Sequence, residues 1–222
     1  MATAHAIDGL FAALFVIFGL GVIGTRQMLG TLYLFVLHSL ALTGSAIVLG
    51  VALGSPHLFW VAAITFSTKV VAVPLVLRYS AGLEIYGRRE VDQVLTIPVS
   101  VLIAAALALV AWVAANPLVH ALAARPFADI NVPTGLMAVF FGAFTVAVRR
   151  EAVAQLMGIL IMENGAFFAS ISIVNDLTII AEIAAAVDVP VAALVIGLLI
   201  RNIHSVTGIT RVGLLAELKE RR

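Results

Sequence analysis

Seven apolar runs, each near the length of a bilayer crossing, govern what this chain can fold into. They cover roughly Ile7–Ile23, Met28–Leu53, Leu58–Leu77, Val94–Ala115, Val132–Val148, Ala152–Val174 and Ile183–Ile203. A helix needs about 20 apolar residues to cross about 30 Å of hydrocarbon. The fifth run is short and opens at Pro133, a favourable first-turn position for proline. The seventh is interrupted by Asp188 and Pro190. Between the runs lie turn and charge signals such as "GSPH", "GLEIYGRREVDQ" and "ARPFADINVP". With 63% hydrophobic residues, 11% charged and a mean hydropathy of +1.16, a water-soluble domain could not hide the apolar surface. The expected fold is therefore all-α: a polytopic membrane helix bundle of about seven transmembrane helices.

The charges orient that bundle. With the N-terminus outside, the inner side receives Arg26, Arg78, Arg88, Arg89, Arg149, Arg150, Arg201, Arg211, Lys219, Arg221 and Arg222. The outer side receives only Arg125, and Lys69 stays within a span. This follows the positive-inside rule at every alternation, so the expectation is N-terminus out and C-terminus in. The opening "MATAHAIDGL" has no Lys or Arg before the first apolar run, so no cleaved signal peptide is expected. A net charge of +1 gives no reason to expect nucleic-acid binding. The absence of Cys removes disulfides, thiolate metal sites and a Cys nucleophile. No phosphate loop or nucleophile–base motif is present, so no active site or cofactor is expected; one His with two carboxylates on separate helices, beside a competing Lys69, gives no reason to expect a metal.

Charge at bilayer depth costs at least ~2.5–3.5 kcal/mol on insertion scales and usually faces the protein interior. Four in-span residues stand out: His38, Lys69, Glu163 and Asp188. At 1.5 Å of rise per residue, Glu163 lies about 20 Å from Arg150 and Asp188 about 20 Å from Arg201. His38 lies about 18 Å from Arg26, and Lys69 about 13 Å from Arg78. Four helices thus place ionisable groups in one layer through the middle of the membrane. Gln155, Glu163 and Ser170 are spaced by eight and seven and share a helix face; Asn164 points about 100° away from Glu163. Gly158 and Gly165 form a second strip, open to close approach by another helix. Each residue also has a plainer reading. Glu163 can be a protonated acid tying two helices together, Lys69 can snorkel, Asp188 can end a turn before Pro190, and His38 can be a satisfied interior histidine. The functional reading is a proton path built from Glu163, Lys69, Asp188 and His38, with Asn164, Gln155 and Ser170 in support.

The stretch "RREAVAQLMGILIMENGAFFASISI", followed by "VAALVIGLLIRNIH", resembles the E-type membrane subunit family of hydrogenase-4, found in formate hydrogenlyase-type complexes. "QLMGILIMENG" is the specific part, and a weaker likeness runs along the whole chain. The last three spans are also similar to the small K subunit of respiratory complex I and the C subunit of Mrp-type cation/proton antiporters. The resemblance divides the chain into an N-terminal four-helix segment, 1–130, and a C-terminal three-helix segment with a short cytoplasmic tail, 131–222. It implies a non-catalytic subunit of a bacterial or archaeal cytoplasmic membrane. The partners would be antiporter-like subunits and a hydrogenase- or quinone-proximal membrane subunit, with the redox chemistry in those partners. The glutamates of the complex I subunit align near Leu160, one turn before Glu163, and near Ala193 rather than at Asp188. Two other roles stay open: a structural spacer between ion-translocating subunits, and the small subunit of an antiporter complex.

Overall fold

The computed structural model describes residues 1–79, 94–123 and 125–173. The seventh expected span, Asp188 and the basic tail lie outside the described residues. Within them the chain is all-α, a multi-pass bundle of six helices long and apolar enough to cross a membrane. These are α1 (Ala2–Gly24), α2 (Met28–Leu53), α3 (Pro56–Tyr79), α4 (Ile97–Ala121), α5 (Ala128–Val148) and α6 (Ala152–Ser170).

The helix ends follow from the turn residues. Gly54 takes a left-handed conformation, φ 62°, that closes α2, and Pro56 opens α3 in its first turn. α5 begins earlier than the sequence suggests. It starts at Ala128, with the acidic Asp129 in its first turn, so Pro133 lies inside the helix and not at its start. A carboxylate in the first turn is favourable against the helix dipole, and it extends the helix upstream of the proline.

Successive helices alternate in direction. His5 pairs with Asp129, so the start of α1 meets the start of α5 at one face, the N-terminal face. Arg149 closes the opposite face. Its guanidinium donates to the carbonyls of Val22, Ile23 and Thr25 at the end of α1 (2.8, 3.3 and 2.5 Å). Carbonyls at a helix end lack intrahelical donors, so a buried cation there caps the helix and suits its dipole. Arg26, Arg78 and Arg150 belong to this basic face by chain position.

The closest helix contact is between α5 and α6. A Cβ on Gly158 would lie 2.8 Å from Val146 Cγ2 and 2.9 Å from the Gly142 carbonyl. A Cβ on Gly165 would lie 2.5 Å from the Gly135 carbonyl. Gly135 and Gly142 present the reciprocal strip. Lipid tails are as apolar as Leu, so small residues that let backbones approach are a main source of helix association in a membrane. α4 lies at the other extreme, with Leu102, Leu109, Trp112 and Val113 all exposed.

Gly165→Val should overpack the α5–α6 contact, at a cost of roughly 1–3 kcal/mol. Gly9→Ala, whose Cβ would meet only Ile130 Cδ1 at 3.6 Å, is the control. Thermal unfolding of the detergent-solubilised chain should show a lower midpoint for Gly165→Val and little change for Gly9→Ala.

Candidate functional site: a buried ion pair at mid-depth

The polar centre forms where α2, α3 and α6 meet. On α3 the regular helix is interrupted by a π-helical segment, Phe66–Ala72, with Lys69 within it. Each residue advances a helix by about 100°, so the extra residue of a wider turn re-aims everything that follows. Two hydroxyls sit at this widening: Ser67 Oγ donates to the Ala63 carbonyl at 2.7 Å, and Thr68 Oγ1 to the Ile64 carbonyl at 2.8 Å. Such back-bonding occupies carbonyls in a perturbed helix and eases its bending.

Lys69 is fully buried. Its Nζ lies 3.3 Å from Glu163 Oε1 on α6, and the Glu163 side chain is 22% exposed. The contact is ionic, without the alignment of a hydrogen bond. Nζ also lies 4.3 Å from the centroid of the Phe167 ring, one turn beyond Glu163. A desolvated ammonium over a ring face gains roughly 2 kcal/mol from the ring quadrupole. Lys69 therefore does not snorkel: acid and ring hold it inside the bundle.

His38 and Asn164 line the adjoining wall. His38 Nδ1 donates to the Phe15 carbonyl at 2.9 Å, which leaves Nε2 as the acceptor nitrogen. Nε2 has no hydrogen-bond partner among the described residues. The imidazole stacks on Phe15 at 3.7 Å between centroids, and Phe15 stacks on Phe168 at 4.3 Å. The charge of Lys69 acts on His38, so the two lie within electrostatic range. Next to His38, Ser39 accepts a 2.9 Å hydrogen bond from Asn164 Nδ2. Asn164 thus serves a contact separate from that of Glu163, as their 100° offset requires.

Measured along their helices from the basic face, His38, Lys69 and Glu163 all lie about 15–17 Å in. The structure brings Lys69 and Glu163 into contact and sets His38 and Asn164 beside them. Gln155 and Ser170 are not part of this centre. Gln155 Nε2 donates to the Arg149 carbonyl at the basic face (2.9 Å), and Ser170 Oγ donates to the Phe167 carbonyl of its own helix (3.0 Å). Asp188 lies outside the described residues. Among the described residues no group of three or more His, Cys, Asp or Glu side chains has the geometry to hold a metal ion.

Two polar groupings escape a reading of the sequence. Arg149 and Glu151 are buried at the basic face although both stand in a charged break between apolar runs. Burial pushes the Arg149 guanidinium down to about 10, Glu151 opposes that shift and Arg26 adds to it, so Arg149 remains cationic at neutral pH. Asp8, Ser45 and Asn131 form a buried trio below the N-terminal face. The available signal was that Asp8 and Asn131 lie at the edges of apolar runs, where a polar residue ordinarily reads as solvated.

No family model matches the chain, and no solved structure does. The chain is similar to an uncharacterized protein of Mycobacterium tuberculosis (strain ATCC 25618 / H37Rv), 26% identical over 200 residues that cover 90% of each. The likeness runs along nearly the whole chain and carries no activity with it.

Removing one member of a buried pair strands the other charge and costs about 3–5 kcal/mol, whereas removing both is often neutral. Glu163→Gln and Lys69→Met should each lower the thermal midpoint of the detergent-solubilised protein. The double variant should recover most of the loss. Additive losses in the double variant would mean that the two side chains do not interact.

Proposed function

We propose that this chain is a non-catalytic membrane subunit of a hydrogenase-4-like, complex-I-related energy-converting assembly. Its part is to carry protons at mid-membrane while partner subunits do the redox chemistry. The observation that carries the reading is the 3.3 Å pair of Lys69 and Glu163, at one depth with the acceptor nitrogen of His38. One proton moving from Lys69 Nζ to the Glu163 carboxylate converts an ion pair into a neutral amine and a neutral acid. In a low-dielectric interior those two states differ far less in energy than in water, because desolvation opposes both charges together. The pair is therefore a natural place to load and pass a proton. Moving the charge also changes the force on α3 at its π-helical segment, a place where the helix register is able to shift.

The expected orientation puts the basic face, with Arg26, Arg78, Arg149 and Arg150, in the cytoplasm of a bacterial or archaeal cell and the N-terminus outside. The partners that the resemblance implies are antiporter-like subunits and a hydrogenase- or quinone-proximal membrane subunit. The broad apolar surface of α4 suits lipid or such a subunit.

In the complex purified from its own membrane, Glu163→Gln should leave subunit composition intact and sharply lower proton translocation per electron transferred. Unchanged translocation in a fully assembled complex would reduce the chain to a structural spacer.

A further inference from the structure

The buried trio below the N-terminal face has chemistry that the mid-depth pair does not use. Asp8 on α1 and Asn131 on α5 are both fully buried, and so is Ser45 on α2. Ser45 Oγ donates to Asp8 Oδ1 at 2.5 Å. Asn131 approaches the same carboxyl from α5. Among the described residues, Asp8 Oδ2, Asn131 Oδ1 and Asn131 Nδ2 all lack a hydrogen-bond partner. Asn131 lies within range of the Asp8 carboxyl without the full geometry of a hydrogen bond, and three such buried atoms on two neighbouring residues are rare in a folded protein. One acceptor on a carboxyl, one amide acceptor and one amide donor are the complement of a single water: it donates twice and accepts once. Buried waters typically make about 3 such bonds.

Two further ionisable side chains lie between the trio and the N-terminal face. His5 is one turn before Asp8 on α1, and Asp129 is two residues before Asn131 on α5. They pair at 3.2 Å, are exposed on their outer sides, and lie close enough to act on Asp8. His5 and Asp129 also line an open cavity of about 590 Å³, together with His120, Arg125 and Phe127. From the N-terminal face inward the order is a largely apolar cavity, the His5–Asp129 pair that lines it, and the Asp8 carboxyl one helical turn further along α1. Ser45 lies six residues from Ser39 along α2, about 9 Å from the wall of the mid-depth site.

We infer that Asp8, Ser45 and Asn131 form a second, hydrated carboxyl site that takes up and releases a proton through the cavity that His5 and Asp129 line. The site is the port on the N-terminal face for the path proposed above and rests on that reading for its role. The groups facing Asp8 from the packed helices are Ser45 from α2, Asn131 and Asp129 from α5, and His5 from its own helix. His5 relays protons between the cavity and the bridging water, and Asp129 holds its ring in place.

The test reads Asp8 in the full-length chain alone, reconstituted in phosphatidylcholine vesicles, by infrared difference spectroscopy across a pH titration. The expected result is a protonated-carboxyl C=O band that grows as pH falls and shifts promptly in D2O. The band should vanish in Asp8→Asn and persist in Glu163→Gln. Ser45→Ala keeps the acid and removes its hydrogen bond, so it should move the band to higher frequency; this variant decides the matter if Asp8→Asn does not fold. A band unaffected by Asp8→Asn and Ser45→Ala, or one that does not exchange in D2O, overturns the proposal. Because the measurement needs no complex, its failure is distinct from a failure of Glu163→Gln to alter translocation.

Discussion

A lysine ammonium at the middle of a bilayer cannot be left alone. Hydrocarbon offers it no solvation, so the fold must supply an opposite charge, a ring face or water. Here it supplies the first two at once: Glu163 at 3.3 Å and Phe167 at 4.3 Å, both on α6 and one turn apart. That requirement fixes the rotation of α6 about its own axis and the aim of α3. The π-helical segment is the local means on α3, since it turns Lys69 inward while Phe66 and Val71 remain on the exposed surface.

The glycine strip and the ion pair are two consequences of one helix phase. Gly158 and Gly165 point α6 at α5. At about 100° per residue, Glu163 lies roughly 140–160° around from both, away from α5 and toward α3. Asn164 falls between, where Ser39 of α2 receives it. A single apolar helix thus presents three surfaces to three neighbours: bare backbone, an amide and a carboxylate. This is why an acid and an amide stand side by side in "LMGILIMENGAFF". Each belongs to a different helix–helix contact.

How much of this was legible in the sequence depends on the range of the interaction. Span lengths follow from apolar runs, and six of the seven expected spans lie on described residues and form helices there. The depths of His38, Lys69 and Glu163 follow from counting residues to the nearest arginines. The pairing of Lys69 with Glu163 does not, because 94 positions separate them and no local pattern states which helices adjoin. The π-helical segment does have a local mark: Pro74, two residues past "FSTKVVA" and inside α3, has no N–H to give the Val70 carbonyl, although that does not state which way Lys69 is aimed. Pro133 misled by its chemistry: a proline that suits a first turn is also tolerated further in, and Asp129 carried the helix start upstream. The Asp8 trio was missed because a polar residue near the end of an apolar run reads as solvated, and only the arrangement of α1, α2 and α5 buries it.

Energetics also separate a proton-carrying bundle from a packing one. If α3 and α6 served only to fill space between other subunits, apolar residues in place of Lys69 and Glu163 would pack them at least as well, since a buried ion pair often fails to recover its own desolvation. The same holds for Asp8 and Asn131, since burying a carboxyl and an amide costs more than burying leucines in their place. Each polar group adds little to a spacer, yet together they lie at two depths along one bundle, with a titratable histidine beside each: His5 near Asp8 and His38 near Lys69. Carboxyls, a lysine and histidines that cost packing energy fit the proton path proposed above, whereas a filler gains no stability from them.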